Sequence, residues 1–259
     1  MTARPFPTDP ARAQRIAAAF DAVRRRIADA TARAGRPAGS VALLAVTKTF
    51  GPEVVADAVA AGQRLFGENY VQEAIAKMTG LRESGHLDEH ALRQIAWHFI
   101  GPVQSNKTRA IASHFDWVQS VDRVAVAQRL SRQRREEGRD LEAQALDVLV
   151  EVNISAEDSK SGVASGEVPG FAAELAALPH LRLRGLMAIP QPGLTPTQQR
   201  HSFARMHALF ETTRAGLAPE PARRQFDTLS MGMSDDFEAA ILEGSTMVRI
   251  GSALFGARS

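Results

Sequence analysis

Apolar residues fall into two alternating rhythms along the chain. Between Asp9 and Ala34, Ile16, Phe20, Val23 and Ile27 recur every three or four residues in an Ala- and Arg-rich stretch, the pattern of one amphipathic helix. After Gly35-Arg36-Pro37 comes an unbroken apolar run, VALLAVTKTF (Val41 to Phe50). Its β-branched residues suit a strand buried on both faces of a parallel sheet. Similar short runs return at Leu65 to Asn69, Ile95 to Gly101, Trp117 to Asp122, Asp147 to Asn153, Leu181 to Ile189, Phe226 to Met233 and Met247 to Phe255. Eight such strands alternating with helices in 259 residues predict a single α/β domain, a closed (β/α)8 TIM barrel with an extra N-terminal helix. Gly80 to His90 reads as a polar loop, and Gln191 to Thr197 as the loop after the sixth strand. Neither has the character of an interdomain linker.

Composition narrows the function. A net charge of +2 gives no basis for nucleic-acid binding, and the clusters Arg24 to Arg26 and Arg132 to Arg135 read as solvated helix faces. With no cysteine, disulfides, thiolate nucleophiles and Cys-based zinc sites are excluded. His201 and His207 are six residues apart and do not share a helix face, so no metal site is expected. No apolar run approaches a membrane span and no signal-peptide core opens the chain; a cytoplasmic protein is the expectation.

In barrels the chemistry sits at the strand ends. Strand one ends on Lys48, strand two on Glu68 and Asn69, and strand three contains His98. Strand four delivers Ser120 and Asp122, strand five Asn153, strand seven Ser230, and strand eight Arg249 ahead of Gly251 and Ser252. A lysine directly after an apolar strand, partly desolvated, can present a neutral amine to an aldehyde and form an imine. The same lysine can equally snorkel or pair with a carboxylate such as Glu68. The loops LSMGMSDD and VRIGSALFG offer a phosphate cradle: Gly232 and Gly251 allow close backbone approach, and Ser230 and Ser252 supply hydroxyls. Ser234 reads as the cap of the helix SDDFEAAI, with Asp235 and Asp236 repelling an anion from that helix end. Alternation aims Arg249 and Gly251 to one side of the strand and Ile250 to the other. Asn69 and His98 could contact a bound ring, although a histidine in WHFIGP equally serves as a structural residue. Met187, Met231 and Met233 read as packing residues or apolar walls near a ring. No GxGxxG follows a strand, which weakens a dinucleotide-binding reading.

Taken in order, LLAVTKTF, LFGENYVQEA, WHFIGPVQSNK, VNISAEDSKSGV, RGLMAIP, LSMGMSDDFEAAI and VRIGSALFG closely resemble the YggS/PROSC family of pyridoxal 5′-phosphate (PLP) homeostasis proteins, from about Val41 to Gly256. The resemblance implies a barrel like the N-terminal domain of alanine racemase. It also implies an intracellular carrier or buffer of this vitamin B6 cofactor, with PLP held as a Schiff base on Lys48 and no dedicated reaction. It further implies phosphate contacts from Ser230, Gly251 and Ser252, the last replacing a threonine common in relatives. Arg249 would face the pyridine nitrogen, leaving the ring unprotonated and a weaker electron sink. Asn69, His98 and Met231 complete the expected cofactor contacts, and Lys160 of DSKSG matches a secondary acceptor of PLP. Residues 1–12 fall outside the resemblance and are expected to be poorly ordered, leaving 13–259 as the PLP-binding barrel. PLP-dependent apoenzymes are the implied partners, and a monomer is expected.

Two enzymatic readings compete. A PLP-dependent amino-acid racemase needs a base on each face of Cα, yet the one tyrosine is Tyr70 and the chain stops after strand eight. A Schiff-base aldolase using Lys48 without PLP would need a proton-transfer residue, for which Glu68 is the obvious candidate.

Overall fold

The computed structural model describes residues 6–7, 9–136, 145–155, 161–191 and 193–256. The strands are β1 (Ala42–Val46), β2 (Leu65–Glu68), β3 (Ala96–Phe99), β4 (Trp117–Val121), β5 (Leu146–Asn153), β6 (Val163–Ala164), β7 (Leu181–Met187), β8 (Thr228–Ser230) and β9 (Met247–Ile250). Around them lie α1 (Pro10–Arg33), α2 (Pro52–Ala60), α3 (Val71–Ser84), α4 (Glu89–Arg93), α5 (Thr108–His114), α6 (Val124–Glu136), α7 (Val168–Ala176), α8 (Pro196–Gly216), α9 (Glu220–Gln225), α10 (Phe237–Leu242) and α11 (Ser252–Phe255). All pairings are parallel, in the order β4-β3-β2-β1-β9-β8-β7-β5, and β4 also pairs with β5. Eight strands thus close a barrel, while β6 is a two-residue addition beside the end of β5. The predicted (β/α)8 architecture is the one observed.

Alternation sorts side chains into two compartments. Ala45, Phe66, Phe99, Val118, Val150, Leu229 and Ile250 point outward, into the continuous apolar layer between barrel and helices. Seven phenylalanines, Phe20, Phe66, Phe99, Phe115, Phe203, Phe226 and Phe237, are fully buried in that layer. Leu44, Leu149, Met187 and Met247 point inward and share the lumen with the polar His98, Gln119, Ser230 and Arg249. Gly67 also faces inward, where a Cβ would press on Leu44 and Ile100.

α1 buries Ile16, Phe20, Val23 and Ile27, the stripe read from the sequence. Asp9 caps it through the Arg12 amide at 3.0 Å and Pro10 fills the first turn, so the helix begins three residues before the boundary drawn at residue 13. Phe6 stacks on His86 at 5.1 Å. Residues 1–5 and 8 of the N-terminal stretch lie outside the described residues.

Several local expectations need correction. Gly80 to Ser84 is the last part of α3 rather than loop, and Glu89–Arg93 forms a short helix capped by Asp88. At Gly80 the helix passes close to Pro52; a Cβ there would meet that ring at 3.2 Å. Pro196 and Thr197 open α8, capped reciprocally by Thr195 and Gln198. Arg134 is buried, not solvated: its Nη1 donates to the carbonyls of Ala112 (2.6 Å) and Phe115 (3.0 Å), where α5 ends. Ser234 does not cap α10. Asp236 stands at that position, its carboxylate turned back onto the Met233 amide at 2.7 Å.

Candidate cofactor site

β1 delivers Thr47 and Lys48 beyond its last paired residue, and parity decides where they face. Ala45 points outward and Val46 inward, so Thr47 faces α3 and the half-buried Lys48 faces the barrel mouth. There it lines a cleft of about 230 Å³ with Asn69, Arg249, Gly251 and Ser252, under Ile189 and Met233. An adjoining hollow of about 240 Å³ shares Val46, Gly251 and Ser252. Together they reach the size of ordinary small-ligand sites.

A larger hollow of about 550 Å³ lies at the opposite end of the barrel, between α1 and the starts of β1 and β2. Its arginines are committed to backbone carbonyls: Arg24 to Ala61, Arg36 to Ile241 and Ser245, Arg64 to Val59. The Ala61, Ile241 and Val59 carbonyls belong to helix C-terminal regions, where a guanidinium stabilises the fold. The strand-end cleft instead gathers Lys48, Asn69 and Arg249 with Gly251 and Ser252.

Arg249 forms the floor of that cleft. It is almost fully buried, donating from Nη1 to Ser230 Oγ (2.8 Å) and from Nη2 to the Ala188 carbonyl (3.0 Å). Burial pushes its pKa down to about 10, against the attraction of Asp236 and Glu151, so the guanidinium stays charged at neutral pH. Ser230 Oγ donates onward to Gln119 Oε1 at 2.7 Å, and Gln119 Nε2 lies 3.0 Å from His98 Nδ1. His98 stacks on Trp117 and is completely enclosed; burial first, then the charge of Arg184, pushes its pKa down to about 3. It is a neutral ring at every ordinary pH.

Lys48, Asn69, Arg249, Gly251 and Ser252 therefore meet in one cleft, as the strand-end reading expects. His98 and Ser230 lie deeper in the lumen, joined to it through the Arg249 network, while Met231 packs in the outer apolar layer. Lys160 lies outside the described residues. Ser234 and Asp235, set aside in the sequence reading, line the cleft, and Ser234 Oγ accepts from the Ala253 amide at 3.4 Å. Counting parity back from Phe66 shows that Glu68 faces outward. Its carboxylate is held by Thr47 Oγ1 (2.7 Å) and by Lys77 Nζ (2.5 Å) on α3, outside the lumen. Glu68 is therefore not placed to serve as the proton-transfer residue of the aldolase reading.

The donor set suits a phosphorylated aromatic aldehyde: an amine at the mouth, a fixed cation beneath, and two small residues with a hydroxyl between the hollows. Asn69 Oδ1 is buried without a partner among the described residues, an acceptor waiting for a donor from a ligand. Gly101 lets the β3 loop fold against Asn69; a Cβ would fall 2.3 Å from the Asn69 carbonyl oxygen. Among the described residues no group of His, Asp and Glu side chains could hold a metal ion, and no helix is long and apolar enough to cross a membrane.

Comparison with known proteins agrees with this arrangement. Residues 19–259 match the model of the alanine racemase N-terminal domain, so the chain belongs to that class of barrels. Within it, the chain is 50% identical over 236 residues to the pyridoxal phosphate homeostasis protein of Pseudomonas aeruginosa, covering 91% of this chain and 93% of the relative. Identity to the protein of the same name from Escherichia coli K12 is 48%, covering 91% and 94%. The structure of PipY from Synechococcus elongatus with PLP bound superposes with a TM-score of 0.72 at 36% identity, covering 89% of this chain and all of that one. Alanine racemase from Corynebacterium glutamicum shares the fold alone, at 19% identity and a TM-score of 0.61, over 95% of this chain and 62% of that enzyme. The chain is a member of the pyridoxal phosphate homeostasis protein family.

Proposed function

We propose that this protein binds PLP through Lys48 and serves to hold and release the cofactor in the cytoplasm, supplying PLP-dependent apoenzymes. The observation that carries the reading is the convergence of Lys48, Asn69, Arg249, Gly251 and Ser252 on one strand-end cleft, in a chain half identical to a named homeostasis protein. Lys48 would hold the cofactor through its amine, with loss of water on binding and uptake of water on release. Gly251 and Ser252 lie beside the amine to receive the phosphate, with Ser230 supporting from below through Arg249. Arg249 is a donor only, so it would leave a ring nitrogen placed against it unprotonated, and the bound ring would be a weaker electron sink. This favours storage over catalysis. Tyr70, the one tyrosine, is 58% exposed at the head of α3 and does not line the cleft, which supports storage over two-base racemisation.

The test is the visible spectrum of the purified protein mixed with PLP, before and after borohydride reduction, followed by peptide mapping. A pyridoxyl group on Lys48 is expected. Its absence would sink the reading, and racemisation of L- or D-amino acids well above the rate with free PLP would replace storage by catalysis. Transfer of PLP to an apoenzyme and light scattering of the purified protein address delivery and the monomeric state.

A further inference from the structure

Lys77 sits on a helix yet is only 3% exposed. A buried ammonium must satisfy its three N–H groups, and this one does: it donates to the Thr47 carbonyl at 2.7 Å, to Glu68 at 2.5 Å and to Glu73 at 3.2 Å. Glu73, one turn earlier on α3, also accepts from the Thr49 amide at 2.6 Å. The Thr47 carbonyl and the Thr49 amide belong to the two peptide groups that flank the Lys48 Cα. Lys77 holds one, Glu73 holds the other, and the two are ion-paired to each other.

The clamp works against a local preference. Thr49 has φ +71°, a left-handed conformation that a β-branched residue rarely adopts. The Glu73 contact holds it there. Further support comes from Thr47, whose amide donates to the Gly67 carbonyl at 3.0 Å and whose hydroxyl joins Glu68. None of these groups lines the cleft. They bear on Lys48 through its backbone, with both peptide planes and hence the direction of its side chain set from α3.

We propose that Lys77 and Glu73 are positioning residues that aim the Lys48 amine into the cleft and thereby set how tightly PLP is retained covalently. This rests on the reading that PLP reacts with Lys48. Non-covalent docking of the phosphate and ring does not need the amine to reach a carbonyl carbon, whereas the C=N bond does. Loosening the clamp therefore weakens PLP binding and leaves a carbonyl-free analogue nearly untouched.

The experiment compares the wild type with Glu73→Ala and with the double variant Lys77→Met/Glu68→Gln, which avoids stranding a buried carboxylate. Absorbance titration with PLP gives the apparent Kd of the covalent complex; calorimetry with pyridoxine 5′-phosphate, an alcohol, gives that of docking alone. For each variant the PLP constant is expected to rise about tenfold and the analogue constant less than about twofold. Equal weakening of both ligands, or no change in either, would overturn the proposal. Should the double variant fail to fold, Glu73→Ala, at a part-exposed site, decides alone. Failure of the wild type itself to give a borohydride-fixed adduct at Lys48 would instead remove the reading beneath it.

Discussion

Glu151 offers a test in which the structure sets both sign and size. It lies on β5 between Val150 and Val152, which point into the outer layer, so its own side chain faces the barrel mouth. Burial, and then the nearby Asp122, push its pKa from an ordinary 4.5 up to about 7, and Arg249 recovers only part of that. Below 4.5 the carboxyl is protonated in folded and unfolded chains and contributes nothing to pH dependence. Between 4.5 and about 7 the unfolded chain gives up the proton while the folded chain keeps it, so stability falls as pH rises, and above 7 the loss is complete. At about 1.4 kcal/mol per pH unit the full effect is about 3 kcal/mol; residual solvent contact brings the expected value to about 2 kcal/mol. Glu151→Gln cannot ionise and escapes the loss. Urea unfolding of the PLP-free wild type and variant at pH 5 and pH 8 measures it, with the slope m serving as the check that the same surface unfolds. The variant is expected to gain about 2 kcal/mol on the wild type between the two pH values. A stability difference that stays constant across that range would refute the reasoning.

Two further outcomes follow from packing and from the lumen. Phe20→Ala empties the centre of the contact between α1 and the barrel, where the ring also meets Phe255 edge-on, and should cost about 3–5 kcal/mol in denaturant unfolding; a cost below about 1 kcal/mol would mean that α1 is not part of the cooperative fold. His98, enclosed and held neutral, should show no titration in its ring resonances by NMR between pH 5 and pH 8; a midpoint inside that window would contradict its burial.

The strands were readable because a parallel barrel buries both faces of each one, which writes unbroken apolar runs into the sequence. Lys48 and Arg249 were readable for the same reason, as charges attached to such runs. Glu68 shares the outward face of Phe66, and a single residue of parity separates a lumen base from an α3 partner. Lys77 was not noticed because a helical lysine reads as surface. Its signal lies in its place, three residues after Ala74 and four before Leu81 on the buried face of α3. The same habit hid Arg134, whose charge faces backbone carbonyls at the end of α5 rather than water. Gly80 reads as a loop signal, whereas in α3 it makes room for Pro52, a tertiary neighbour that no local rule supplies.

The polar chain through the lumen has a direction. Arg249 Nη1 can only give a proton, so Ser230 Oγ receives there and must turn its single hydrogen to Gln119 Oε1. That orients the amide, setting its nitrogen toward His98 Nδ1, which is left to accept. The imidazole proton therefore sits on Nε2, the ring nitrogen buried without a partner among the described residues. A guanidinium at the cleft floor thus selects the tautomer of a ring three strands away, and a ligand that drew Arg249 off Ser230 would release the whole series to reverse.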